Sequence, residues 1–304
     1  MWTTKTKIHK RRKCRRKLII LGRVINDVGG KFTVVSNDEK FDCFSPKKIK
    51  LKTKVVVGDF VEIQKIENDY VITQICERDN VLIRPRVANI SQILIVIAVV
   101  PEPDFLLVDK LLIMAKNMGV KTCLCINKND ISNNHFYLDV KSQYSQMADS
   151  IVEVSAKQNN LSNLAQILKN NTTVLCGQSA VGKTSIINGL IPNLLLETGE
   201  LSQKIDRGKN TTRTTELYSI DRDTFIIDSP GFSLLDISDI EYDKLKDFYP
   251  EFSNLNCYYS NCTHTTEPES QCQVKQLITN NQINKNRYFR YVTLFNELKN
   301  KRRY

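Results

Sequence analysis

From residue 18 to residue 78 the apolar positions fall in short β-branched runs, separated by turn signals at Asn26-Asp27-Val28-Gly29-Gly30, Ser45-Pro46 and Gly58-Asp59. Such spacing predicts a small all-β domain. The runs at residues 55–63 and 70–75 suit the five-stranded barrel of an OB-fold, although propensity alone does not separate it from an SH3-like barrel. Between residues 79 and 239 the pattern changes. Apolar strands expected at residues 93–100, 122–126, 151–154, 174–176, 215–220 and 224–227 alternate with helical stretches, which predicts an α/β domain with a parallel sheet covered on both faces. The longest apolar run, residues 93–100, is far short of the ~20 residues a membrane-spanning helix needs and reads as a buried strand. After residue 239 come polar and aromatic residues, a Cys/His cluster and a basic helical tail. The expected organisation is therefore multidomain, with an arm at residues 1–17, a barrel at 18–78, an α/β domain at 79–239 and a small metal-binding domain at 240–304.

Charge adds a class of partner. Lys and Arg number 44 against 33 Asp and Glu, a net +11, which favours polyanions, nucleic acid first. Nine of those cations lie between residues 5 and 17, with no acid before Asp27, so this arm is expected to seek polyanions. The arm lacks the apolar middle and cleavage site of a secretory signal, and nine scattered cysteines do not form a dense disulfide framework. A cytoplasmic protein with reduced thiols is expected, with no membrane partner and acting as a monomer. RNA contact is expected through the arm, the barrel and the basic tail at residues 299–303; no aromatic platform is evident in the barrel, so single-strand base stacking is the weaker idea there.

The chemistry is concentrated at four places. Gly177-Gln178-Ser179-Ala180-Val181-Gly182-Lys183-Thr184, followed by Ser185, is a GxxxxGK[ST] loop between a strand and a helix. Its glycines let the backbone fold so that amides and the helix N-terminus face phosphate oxygens; Lys183 spans the β and γ phosphates, and Thr184 offers a hydroxyl to Mg²⁺. Asn127-Lys128-Asn129-Asp130 follows a strand, at the carboxyl edge where open α/β sheets bind ligands. The Asp130 carboxylate can accept two hydrogen bonds from guanine but finds no such donor pair on adenine. Asn127 would orient base and loop, and the Lys128 stem would cover the ring. Ser155-Ala156-Lys157 would back guanine O6 with a main-chain amide. Asp228-Ser229-Pro230-Gly231 supplies an acid for Mg²⁺ and a glycine amide for the γ-phosphate, and Thr212 or Thr211, ahead of Thr214, is the switch threonine expected on Mg²⁺. Finally, Cys257, Cys262, His264 and Cys272 make a closed Cys₃His set suited to one structural Zn²⁺. Cys14, Cys43, Cys76, Cys123, Cys125 and Cys176 have no such companions and read as incidental.

The guanine motifs precede the phosphate loop, the reverse of the Ras-like order, so the domain reads as circularly permuted. With these motifs, the chain resembles the RsgA (YjeQ/YloQ) family of small ribosomal subunit biogenesis GTPases. The resemblance rests on residues 127–130, 177–185, 207–212, 228–231 and the Cys/His cluster. It implies an OB barrel, a permuted GTPase and a zinc domain that couple GTP hydrolysis, with Mg²⁺, to docking on the small subunit and its rRNA and to release. Two departures follow. The spacing before Cys272 is two residues longer than the family's, which makes Cys272 the least secure ligand. The family's histidine before the switch threonines is Asn210 here, and the position of a Ras-like water-orienting glutamine is Phe232, so slow hydrolysis stimulated by the subunit is expected. The competing readings are a GTP-gated rRNA-binding module with negligible hydrolysis and a permuted GTPase of the large subunit.

Overall fold

The computed structural model describes residues 19–45, 53–82, 86–132, 134–191, 194, 215–228 and 237–301. The basic arm, Asn210, Thr211, Thr212, Thr214, Gly231, Phe232 and the end of the tail lie outside the described residues.

The N-terminal strands are β1 (Ile19–Val28), β2 (Lys31–Ser36), β3 (Glu39–Phe44), β4 (Phe60–Ile66) and β5 (Asp69–Ile75). They close into a barrel in the order β1-β2-β3-β5-β4, with β3 and β5 parallel and the remaining pairs antiparallel. That is a five-stranded Greek-key closure, as the OB reading anticipates. The β2–β3 hairpin turns through Asn37 and Asp38, both at positive φ, which suits the right-handed twist of the flanking strands. Val24, Phe32, Val34, Cys43, Val61, Ile63 and Ile72 fill the interior. The apolar run 55–63 divides at Gly58: its φ is +91°, and a Cβ there would lie 2.1 Å from the Ala88 carbonyl oxygen, so the chain turns before β4 begins.

A short ribbon, β6 (Val81–Leu82) and β7 (Val87–Ala88), leads into the α/β unit. Its strands are β8 (Gln92–Ala98), β9 (Lys121–Asn127), β10 (Ser150–Glu153), β11 (Thr172–Cys176), β12 (Glu216–Ser219) and β13 (Phe225–Asp228). Between them run α1 (Phe105–Asn117), α2 (Asn134–Tyr144), α3 (Ser162–Leu168) and α4 (Lys183–Leu190). The sheet order is β10-β9-β8-β11-β13-β12. The central β8 is buried along its length: Ile93, Ile95 and Ile97 enter one core cluster, while Leu94, Val96 and Ala98 enter the other. The expected all-parallel sheet needs one correction, since β12 is antiparallel to β13. The link between them turns tightly on Asp221, whose carboxylate accepts from the amides of Asp223 and Thr224, and it is too short for a parallel crossover.

Residues 237–301 continue one face of this core. Helix α5 (Gln273–Thr279) and helix α6 (Lys285–Lys301) follow the Cys/His cluster. Tyr291, Leu294, Phe295 and Leu298 of α6 join Leu111 and Leu112 of α1 in a single apolar cluster. Among the described residues no helix is long and apolar enough to cross a membrane.

Candidate nucleotide-binding site and Cys/His cluster

Strand β11 delivers the chain to the phosphate loop at Gly177, whose φ is +129°. A Cβ there would sit 2.2 Å from the Val96 carbonyl oxygen, so only glycine lets the loop pass the neighbouring strand. Gly182, at φ +97°, caps α4, and a Cβ at that position would meet Asn127 Nδ2 at 2.3 Å. Between them the loop folds back on Lys183, whose Nζ donates to the Gly177 carbonyl at 2.8 Å and to that of Gln178. The ammonium is thereby held inside the curve, where burial lowers its pKa and the Asp228 carboxylate opposes the shift. Thr184 and Ser185 occupy the first turn of α4, half-buried. Asp228 ends β13, the strand beside β11. This edge therefore gathers a lysine, hydroxyls, a carboxylate and a helix N-terminus, an anion-binding set that also suits a divalent cation.

The guanine side is tied to the same loop by side chains. Asn127, at the end of β9 and buried, donates from Nδ2 to the Val181 carbonyl at 2.9 Å. Its Oδ1 accepts the Ala156 amide at 3.1 Å, so one carboxamide joins the phosphate loop to residues 155–157. Lys128, at φ +63°, reaches the carbonyls of Val100 and Ala180, each at 2.8 Å. Asp130 is set by buried Ser155, whose hydroxyl donates to Oδ1 at 2.7 Å, and the Asn129 amide donates to the Val154 carbonyl. Of the amides in the 155–157 loop, that of Ala156 is thus engaged by Asn127. The Gln178 side chain has a separate use. Its carboxamide accepts the Asp104 amide at 2.8 Å and donates to the Glu102 carbonyl, fixing the segment that caps α1. Of the remaining expected contacts, Thr211, Thr212, Asn210 and Gly231 lie outside the described residues.

The ligand atoms of Cys257, Cys262, His264 and Cys272 lie within 4.8 Å of one another, and this is the one such group among the described residues. The three sulfurs stand 3.6, 3.3 and 3.5 Å from His264 Nδ1. A tetrahedral ion with bonds of ~2.3 Å to sulfur and ~2.0–2.1 Å to nitrogen would separate them by about 3.6 Å. Burial pulls the His264 pKa down to about 4, keeping the imidazole neutral as a ligand must be. The lengthened loop before Cys272 is sewn shut. Glu267 accepts from the Thr263 and Thr265 amides, while Lys275 donates to the carbonyls of Thr265 and Glu267. Cys272 therefore arrives fully buried beside the other ligands, despite the two extra residues. From α6, Tyr288 Oη donates to the His264 carbonyl at 2.8 Å and Tyr291 Oη to that of Thr263 at 2.6 Å.

Residues 75–238 match the RsgA GTPase family. The small ribosomal subunit biogenesis GTPase RsgA of Clostridium acetobutylicum is 38% identical over 93% of this chain and 99% of its own. That of Ruminiclostridium cellulolyticum is 37% identical over 92% of this chain and 94% of its own. The chain belongs to the RsgA GTPase family. Among solved structures, YjeQ from Thermotoga maritima superposes with a TM-score of 0.77 at 32% identity, covering 92% of this chain and 99% of that one. YloQ, described as a circularly permuted GTPase, gives 0.72 at 27% identity, with 97% and 99% covered. The permuted order expected from the motifs is the order of this family.

Arg23 and an ion set around Asp109 escape a motif reading yet hold the parts of this RsgA GTPase together. Arg23, on β1 of the barrel, donates to Thr172 Oγ1 at 2.8 Å and to the Asn89 carbonyl, and lies between the Phe60 and Phe225 rings at 5.0 and 4.7 Å. Burial lowers its pKa to about 10. Asp109, fully buried in α1, pairs with Arg287 at 3.1 Å and Arg290 at 2.6 Å, both from α6. Arg287 also pairs with Glu251. A lone carboxylate inside the apolar stretch Phe105-Leu106-Leu107-Val108-Asp109 was the available signal; the partners, almost two hundred residues away, carried none.

Proposed function

We propose that this chain is a GTP hydrolase that docks on the small ribosomal subunit, assists its late maturation and is released when GTP is cleaved. The observation that carries the reading is the pairing of one guanine-selecting carboxylate with one phosphate loop through Asn127, which binds both Val181 and Ala156. Relatives named for small-subunit biogenesis match nearly end to end, which supplies the partner.

In this reading Asp130 takes the guanine N1–H and 2-amino group, held in line by Ser155. Lys183 and the amides of residues 177–184 hold the triphosphate, with Lys183 balancing charge that builds on the β–γ bridge. Thr184 and Asp228, with Thr211 or Thr212, would hold Mg²⁺, which supplies electrostatic stabilisation of the transferring phosphoryl group. Gly231 would offer its amide to the γ-phosphate. The Asn210 carboxamide can hydrogen-bond the attacking water but cannot accept its proton at neutral pH, and Phe232 can do neither, so turnover is slow until the subunit completes the site. Cys257, Cys262, His264 and Cys272 would hold Zn²⁺, whose closed coordination is structural. RNA contact would come from the basic arm, the barrel and the tail, and phosphate neutralisation makes it salt-dependent.

The test is phosphate release from GTP and from ATP, with and without purified small subunits, in wild type and Lys183→Ala. Turnover of GTP alone, raised by subunits and abolished in Lys183→Ala, is expected. GTP binding with no turnover in the presence of subunits would leave a nucleotide-gated RNA-binding module.

A further inference from the structure

After β8 the chain runs through Val100-Pro101-Glu102-Pro103-Asp104 before α1 begins, and this short stretch is pinned from both halves of the nucleotide site. On the base side, Lys128 Nζ donates to the Val100 carbonyl at 2.8 Å as well as to the Ala180 carbonyl of the phosphate loop. On the phosphate side, the Gln178 carboxamide accepts the Asp104 amide at 2.8 Å and donates to the Glu102 carbonyl at 3.2 Å. The far end is fastened to the helix, since Asp104 Oδ1 accepts the Leu107 amide at 2.9 Å. Between these anchors the chain has little freedom, because Pro101 and Pro103 each fix one φ before any contact forms.

The side chain at residue 178 matches what this stretch presents. An amide N–H and a carbonyl two residues apart call for a group that accepts and donates from neighbouring atoms, which a carboxamide does. A carboxylate at neutral pH has no donor and an ammonium has no acceptor. Asn carries the same group one methylene short. Gln178 is also the longest polar side chain between Gly177 and Gly182.

We propose that residues 100–104 are a brace that holds the phosphate loop in its nucleotide-ready shape, and that Gln178 is the positioning residue that fastens loop to brace. The inference rests on the nucleotide-site reading above and adds to it a side chain turned toward the protein rather than the ligand. Buried Asn127 ties the two halves of the site from inside, and the brace ties them from the exposed side. A loop held in shape before its ligand arrives loses less freedom on binding, so the brace acts on affinity. It serves GDP and GTP alike, because it reads no γ-phosphate.

The experiment is calorimetric titration of the full-length chain with GDP and with a non-hydrolysable GTP analogue. Gln178→Met keeps the length and loses both hydrogen bonds, while Gln178→Asn keeps the carboxamide and loses the reach. Each should weaken both nucleotides by about fivefold, the scale of two solvent-exposed hydrogen bonds, and by the same factor for the two ligands. Pro103→Gly softens the brace without removing a contact. It should weaken binding roughly threefold in wild type and have no further effect beside Gln178→Met, where the brace is already detached. Affinities of Gln178→Met and Gln178→Asn equal to wild type would overturn the proposal. A loss confined to the GTP analogue would do the same, since it would put the side chain on the γ-phosphate. So would Pro103→Gly and Gln178→Met factors that simply multiply, because the two residues would then act independently. Wild type measured alongside separates the two failures: guanine nucleotides bound equally by wild type and variants defeat the brace alone, and a wild type that binds neither nucleotide defeats the site reading beneath it.

Discussion

At the scale of single residues the nucleotide site is built from atoms that have no room to change. Gly182 is the sharpest case, because its φ of +97° disfavours any L side chain and its missing Cβ is the space that Asn127 Nδ2 occupies. Gly182→Ala is expected to break the Asn127–Val181 hydrogen bond and cost about 1–3 kcal/mol in a urea melt. GDP affinity should fall at least about tenfold by calorimetry, since the loop and the guanine side lose their common tether. Asp130 governs identity rather than shape. Asp130→Asn keeps the size and one acceptor but turns the second into a donor facing the guanine donors. A lost charged hydrogen bond of ~1.5–3 kcal/mol implies roughly 10- to 150-fold weaker GTP binding. Stability in the same melt should stay near wild type, because Ser155 can still donate to the remaining oxygen. A GTP affinity unchanged in Asp130→Asn would remove the carboxylate from the base.

At the scale of elements, the hydrophobic pattern located the strands well because each is a short apolar run closed by a motif. β9 ends on Asn127 and β13 on Asp228, and β11 runs directly into Gly177. The direction of β12 was not legible, since period and composition are the same for either direction and only the turn on Asp221 decides it. Nor was the role of Gln178, whose reach to Asp104 depends on where the chain after β8 returns. The contact between α1 and α6 belongs to this class. Asp109 faces two guanidiniums in a place closed to water, and removing it leaves Arg290 without an ion partner and Arg287 with Glu251 alone. Asp109→Ala is expected to lose about 3–5 kcal/mol, a large share of the ~5–15 kcal/mol that holds a domain folded. Replacing Asp109 and both arginines, as Asp109→Leu with Arg287→Met and Arg290→Leu, should recover most of that loss, because packed apolar residues need no desolvation to be offset and the partly exposed Glu251 keeps access to water. Denaturant midpoints of the two variants compare them directly. A triple variant no more stable than Asp109→Ala would mean that the ion set shapes the fold beyond its own charges.

At the scale of the molecule, the question is whether the Cys/His cluster is an appendage or part of the GTPase. The geometry favours a single unit. Tyr288 and Tyr291 hold the cluster backbone from one face of α6, and Leu294, Phe295 and Leu298 of the same helix lie in the apolar cluster that contains Ile93, Ile95 and Ile97 of the central strand. On the barrel side, Arg23 reaches Thr172 at the start of β11 and the Phe225 ring at the start of β13. Burial pushes the Cys262 thiol up to about 12 and raises that of Cys272, so without a cation these buried ligands are neutral thiols lacking their bonds. A structural zinc site is worth ~10–16 kcal/mol in small metal-folded domains, and that energy here would feed one continuous core. Chelation of the metal, or Cys272→Ser, is therefore expected to lower the melting temperature of the full-length chain as one transition in scanning calorimetry. Two separately folded parts would behave otherwise, with a new early transition for the cluster and an unmoved later one that still shifts upward when GDP is added. A midpoint that falls as a whole, with the GDP-dependent shift riding on it, would instead make the metal a determinant of the nucleotide site some distance away.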